Sequence, residues 1–166
     1  MRKALFALVA VTMLAFAGTA VAGKIGTAKP WEYDPTNTGA VVAKWTKDGL
    51  SLQKNIETAT NAAAGADIKG IDGETLTELS FEVQGYCGAG APRFNVYTDA
   101  GTSFLGCIYG EKTDAGNGWT RVTFNGDELS AAGAFGGKIT GADVVMDEQG
   151  QALLRNITVN GMAVSR

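Results

Sequence analysis

Three runs of the chain place chemically capable side chains on alternate positions. Glu82, Gln84 and Tyr86 alternate with Phe81 and Val83, and Arg93, Asn95 and Tyr97 alternate with Phe94 and Val96. Tyr109, Trp119 and Arg121 extend the same mixture of rings, amide and guanidinium further along. Aromatic rings stack on the C–H faces of sugars, and planar amide and guanidinium groups exchange paired hydrogen bonds with hydroxyls. On one wet sheet face these nine residues would form a ligand floor, and the expected partner is a glycan or another cell-surface component. The bland reading of the same pattern is a solvated face with an ordinary cross-strand ion pair between Glu82 and Arg93.

The chain has no histidine. That excludes the usual Ser–His–Asp and Cys–His nucleophilic sites, His-containing zinc sites and a ready acid–base near neutral pH. No catalytic residue and no metal-ligand set is therefore assigned, and no cofactor is expected. Three carboxylate groupings remain to be weighed. Glu78 and Glu82 share a strand face, as a carbohydrate-active enzyme would need of two acids about 5–10 Å apart. Asp143, Asp147 and Glu148 offer oxygen for a structural calcium, without the fixed spacing of an EF-hand. Glu32 and Asp34 flank Trp31 and Tyr33 and could line a ligand or hold a cation. In each case the simpler reading is structural: solubilising strand glutamates, a hairpin turn, and an arm folded down by its aromatics. The glycine runs lack the strand–GxGxxG–helix context of phosphate binding.

The elements that must position these groups are strands. Leu79, Phe81 and Val83 keep the period of two of a half-buried strand, as do Phe94 and Val96. Gly101 suits the left-handed position of a three-residue loop, Asp99-Ala100-Gly101. This sets Val96 opposite Phe104 and Cys107 opposite Arg93. Phe94, Val96, Phe104 and Ile108 then share the buried face, with Leu105, Cys107 and Tyr109 on the other. Gly88–Pro92 reads as a tight reversal that lays the Cys87 strand beside the Arg93 strand. Cys87 and Cys107 are the only two cysteines. In an exported chain they are expected to pair, because redox or metal pairs favour CxxC spacing.

Arg2-Lys3, the apolar run Ala4–Ala17 and Ala20-x-Ala22 make a secretory signal peptide over residues 1–22, cleaved near Ala22. Residues 23–166 follow as one domain, secreted or extracytoplasmic and without a transmembrane segment. Loss of Arg2 and Lys3 takes the net charge from −3 to −5. With no basic cluster, nucleic acid and anionic membranes are disfavoured partners. Oligomeric state is left open.

From Gly23 to Gly39 an arm with a short edge strand is expected, because Pro30 and Pro35 cannot donate to a central ladder. A hairpin follows over Val41–Leu52, turning at Lys47-Asp48-Gly49, and then a loop over 55–64. Ala66 and Ile68 begin another strand. Gly110–Gly118 reads as a polar loop and Trp119–Phe124 as a strand. Asp127–Gly137 is a connection with one helical turn, and strands at Ile139–Met146 and Leu153–Val159 close the chain. Short strands with Gly- and Asp-rich turns predict an all-β protein, an antiparallel two-sheet jelly-roll-like sandwich.

The segments AGADIKGIDGETLTELSFEV, CGAGAPRFNVYT, FLGCIYG, GWTRVTF and VVMDEQGQALLRNITVNG occur in that order. In this the chain resembles a family of secreted bacterial β-sandwich proteins, similar to jelly-roll carbohydrate-binding modules and galactose-binding-like domains. The resemblance implies that fold and a binding role, with no reaction attached. Similar proteins read Asp-Asn-Ile where this chain has Arg155-Asn156-Ile157, so the carboxylate of a calcium site there is missing. The alternatives to a non-catalytic binding domain are an envelope assembly protein that associates through strand edges and, behind it, a carbohydrate-active enzyme.

Overall fold

The computed structural model describes residues 26–166. The expected leader, residues 1–22, lies outside them. Strands are the dominant element of the described chain. In order it forms β1 (Gly26–Tyr33), β2 (Val41–Trp45), β3 (Leu50–Lys54), β4 (Ala63–Lys69), β5 (Leu79–Gly85), β6 (Arg93–Thr98) and β7 (Gly101–Gly106). After a 3-10 turn at Cys107–Tyr109 come β8 (Glu111–Gly116), β9 (Trp119–Phe124), the single helix α1 (Gly126–Ala131), β10 (Ile139–Met146), β11 (Gly150–Val159) and β12 (Met162–Ser165). The all-β class expected from the alternation is present. Asn125 caps α1, its side chain accepting from Asp127 while Glu128 reaches back to the Asn125 N–H.

The strands hydrogen-bond in one curled path, β7-β6-β10-β4-β1-β12-β11-β5-β9-β8, with β3 against β11 and β2 outside β3. The link in the middle is β12, which pairs parallel with β1 at Gly26–Val164 and Thr27–Ser165 and antiparallel with β11. Curling brings the two ends of the path over one core. Phe81 of β5 meets Phe94 of β6 at 5.3 Å between ring centroids, and Phe124 of β9 lies 6.4 and 6.1 Å from them. Leu50, Leu52, Ile68, Leu79 and Leu154 are buried around these rings.

Several expectations are corrected. The β5 and β6 strands are not neighbours: β9 and β11 occupy both edges of β5, and β10 and β7 those of β6. The segment between them crosses from one half of the sheet to the other. Cys87 and Cys107 do form a disulfide, with Cα atoms 5.3 Å apart, and it ties that crossing to the end of β7. The β6–β7 hairpin is one residue out from the expected register, with Val96 opposite Ser103, Asn95 opposite Phe104 and Arg93 opposite Gly106. Asp99 and Ala100 alone form the loop, and the positive φ (141°) falls on Gly101, paired with Thr98. Phe104 and Ile108 are therefore exposed, while Leu105 and Cys107 are buried. The choice between faces is made by Cys107, whose sulfur must reach Cys87, and by Ser103, whose Oγ donates to Ala132 O from inside (2.7 Å).

The expected loop over 110–118 contains a strand, β8, whose Glu111, Lys112, Thr113 and Asp114 are all exposed. An edge strand wet on both faces has no apolar alternation to betray it. The arm is a full strand paired with β4 along its length. Pro30 is tolerated there because β12 covers only the first two residues of the other edge.

Candidate functional site

The nine expected floor residues do not share a face. The crossing between β5 and β6 divides them. Glu82, Gln84, Trp119 and Arg121 lie on the outer face of β5 and β9, where Glu82 and Trp119 are buried. Arg93, Asn95 and Tyr97 lie on the outer face of β6, in the opposite half. Tyr86 sits on the crossing and donates its hydroxyl to Glu148 Oε2 (2.9 Å), while Tyr109 is exposed beyond β7.

Around Arg93, Asn95 and Tyr97 the registers build an ordered surface. Phe104, Asn95, Asp143 and Asp67 follow one another across β7, β6, β10 and β4, and Lys29 of β1 lies opposite Asp67. The adjoining row is Gly106, Arg93, Val145, Gly65 and Trp31. On the other side Tyr97 stands beside Gly141. Both aromatic rings use the neighbouring glycine. A Cβ added to Gly65 would lie 2.3 Å from Trp31 Cζ2, and one added to Gly141 would lie 3.4 Å from Tyr97 Cδ2. Two rings thus fold down onto the sheet instead of standing off it, and the polar row runs between them.

That polar row is wired together. Arg93 donates from Nε to Asn95 Oδ1 (2.6 Å) and from one terminal nitrogen to Asp147 Oδ2 (2.6 Å) and Gly90 O (2.8 Å). With its oxygen so engaged, Asn95 turns its amide nitrogen to Asp143 Oδ1 (2.8 Å). The Tyr97 hydroxyl approaches Asp143 Oδ2 at 3.5 Å. Burial pushes the Asp143 carboxyl up to about 6. The Asn95 hydrogen bond opposes this, Asp67 opposite adds to it, and Arg93 and Tyr97 hold it back. Burial, followed by the Asp143 charge, also raises the Tyr97 hydroxyl. Like charges facing each other across a ladder cost stability, and Lys69, 3.3 Å from Asp67, offsets part of that cost.

One wall of the site is the loop after β3. Lys54 is 1% exposed, and its ammonium donates to Thr58 O (3.0 Å), Thr60 O (2.6 Å) and Asp147 O (2.7 Å). A buried cation satisfied by three carbonyls pins that loop beside the sheet. Loop and sheet line an open groove of about 520 Å³ reaching Trp31, Asn95, Tyr97, Asp143 and Arg93, a usual size for a small-ligand site.

The other carboxylates are committed elsewhere. Glu148 accepts from Gly90 N, Ala91 N and Tyr86, so Asp143, Asp147 and Glu148 face three different partners and do not converge as a calcium cage would require. Glu82 accepts from Arg121 and Arg155 and is no partner for Glu78 across a cleft. Glu32 accepts from Ala43 N, and Asp34 closes its own turn with Thr36, Thr38 and Gly39. Sequence reasoning noted Trp31 only beside Glu32 and Asp34 on the arm, apart from the floor residues, and missed Asp67 altogether. The Trp31-x-Tyr33 and Gly65-x-Asp67 alternations carried the signal, but their strands' partners were not legible.

No family model and no curated protein matches the chain. Among solved structures it is similar to the secreted serine protease VesC from Vibrio cholerae, with a TM-score of 0.35 and 12% identity over 72% of this chain. The match spans 23% of that protein's length, and so slight a likeness carries no argument about fold or activity.

Proposed function

We propose that the protein is a non-catalytic binding domain for a carbohydrate, exported after cleavage near Ala22, and that it engages its ligand on the outer face of β1, β4, β10 and β6. The observation that carries this reading is the pair of rings, Trp31 and Tyr97, laid over Gly65 and Gly141 on either side of Asn95, Asp143 and Asp67. Sugar rings present C–H faces to such aromatics and hydroxyls to the carboxylates and amide between them. The curled sheet, with its ends meeting at Phe81 and Phe94, fits a jelly-roll-like two-sheet sandwich, as the family resemblance implies.

Calorimetric titration with a panel of neutral oligosaccharides tests the proposal. A ligand that binds the native protein should lose about fivefold in affinity to Trp31→Ala and to Tyr97→Ala, each ring contributing about 1 kcal/mol. Unchanged affinity in both variants would remove this face from consideration. Release of reducing ends that depends on Asp143 would overturn the non-catalytic part.

A further inference from the structure

The half of the sheet away from the proposed glycan face carries a second constellation. Arg121 of β9, Glu82 of β5 and Arg155 of β11 stand directly opposite one another across three strands. Glu82 is buried and accepts from Arg155 Nε at 2.7 Å and from Arg121 at 3.4 Å. Burial works to raise its carboxyl, but hydrogen bonds from Arg155, Asn156 and Arg121, with the Arg155 charge, outweigh this and hold it low and ionised. One carboxylate therefore balances two guanidiniums, and a positive charge is left over.

The arginines are aligned rather than consumed. Side chains of Arg121 and Arg155 remain 37% and 36% exposed. Among the described residues, no hydrogen bond uses the two terminal nitrogens of Arg155 or the Nε of Arg121. The Arg155 guanidinium also lies over the Trp119 ring, 4.0 Å from its centroid. That stacking fixes the plane of the fork and leaves its outer edge free. Asn156, beside it in a β11 bulge, holds the left-handed conformation (φ 47°), rare for a residue other than glycine. These groups open into a groove of about 900 Å³, walled by the β2–β3 turn and continued by Gln84 and Thr158.

A fixed guanidinium fork with a second arginine two strands away matches a carboxylate held bidentately. Beyond it, Gln84 supplies an amide suited to sugar hydroxyls, and Thr158 a hydroxyl that it shares with Ser80 Oγ (2.7 Å). We infer that the Arg121–Glu82–Arg155 row binds the carboxylate of an acidic sugar, a uronate residue of a polysaccharide. This site uses no residue of the first, and it stands or falls separately.

The test is calorimetric titration of the native protein with trigalacturonate and with its methyl ester, in which a methyl group replaces each carboxylate charge. The acid should bind and the ester at least about tenfold more weakly. Arg155→Lys and Arg121→Lys, which keep the charge but lose the fork, should each weaken the acid about tenfold. Lys138→Gln, a charge change on the connection before β10, should leave it unaltered. Circular dichroism confirms that each variant is folded, and the acid–ester contrast on native protein needs no variant. Equal affinity for acid and ester overturns the inference, as do both lysine variants binding like the native protein. Displacement by inorganic phosphate at equal concentration would overturn the sugar specificity.

Discussion

Asp143 is the residue whose titration separates the folded from the unfolded chain most clearly. Its ordinary value of 3.8 is pushed up to about 6 by burial, with Asp67 adding to the effect. Between those values the folded protein holds a proton that the unfolded chain has released. The contribution to stability is fully present below pH 3.8 and is lost as pH rises through 6. Asp143→Asn keeps the shape and the oxygen facing Asn95 but cannot titrate. The stability of the native protein relative to this variant should therefore fall between pH 4 and 6, by about 1–2 kcal/mol, solvent reaching the half-buried carboxyl and reducing the full effect. Urea unfolding of both proteins at half-unit pH steps reads this directly, and parallel profiles would show that Asp143 keeps an ordinary carboxyl. Glu82 works in the opposite sense. Held below 4.5 by Arg155, Asn156 and Arg121 against the pull of burial, it contributes above that value and is lost as pH falls.

Among the elements, β4 decides whether the aromatic platform exists. Gly65 sits opposite Trp31, and a methyl group there would meet Trp31 Cζ2 at 2.3 Å and the Val144 carbonyl oxygen at 2.8 Å. Gly65→Ala should lift the indole and strain the ladder, at a cost of about 1–3 kcal/mol. Quenching of Trp31 fluorescence by acrylamide should rise with it. Unchanged quenching and stability would mean the ring rests elsewhere. The same strand shows what the sequence made legible. Ala66 and Ile68 announced a strand and Leu79, Phe81 and Val83 another, because burial on one face imposes a period of two. Which strands would be neighbours was not written in any such period. Asp67 faces Asp143 across 76 residues of chain, and only the pairing of β4 with β10 brings them together. The hairpin register failed for a related reason. The apolar pattern of Phe104 and Ile108 argued for one face, but the disulfide and Ser103 decided for the other.

For the whole molecule, the Cys87–Cys107 bond is the covalent tie between the crossing that leaves β5 and the end of β7, and hence between the two halves that close over Phe81 and Phe94. It encloses a separation of 20 residues, so replacing both cysteines with alanine should cost about 3 kcal/mol. Thermal unfolding monitored by near-ultraviolet circular dichroism checks this, and an unshifted midpoint would show that the halves hold without the tie. The pairing itself was legible from two cysteines without CxxC spacing in a chain expected to be exported. The division of the proposed ligand residues between opposite halves was not, because it depends on the crossing that the disulfide secures.

The parallel pairing of β1 with β12 has a mechanical consequence. Gly26 lies beside Val164 and Thr27 beside Ser165, both strands running the same way. A pull that separates Gly26 from Arg166 drags those two strands lengthwise past each other. Their bonds resist together, in shear, instead of opening one after another like a zip.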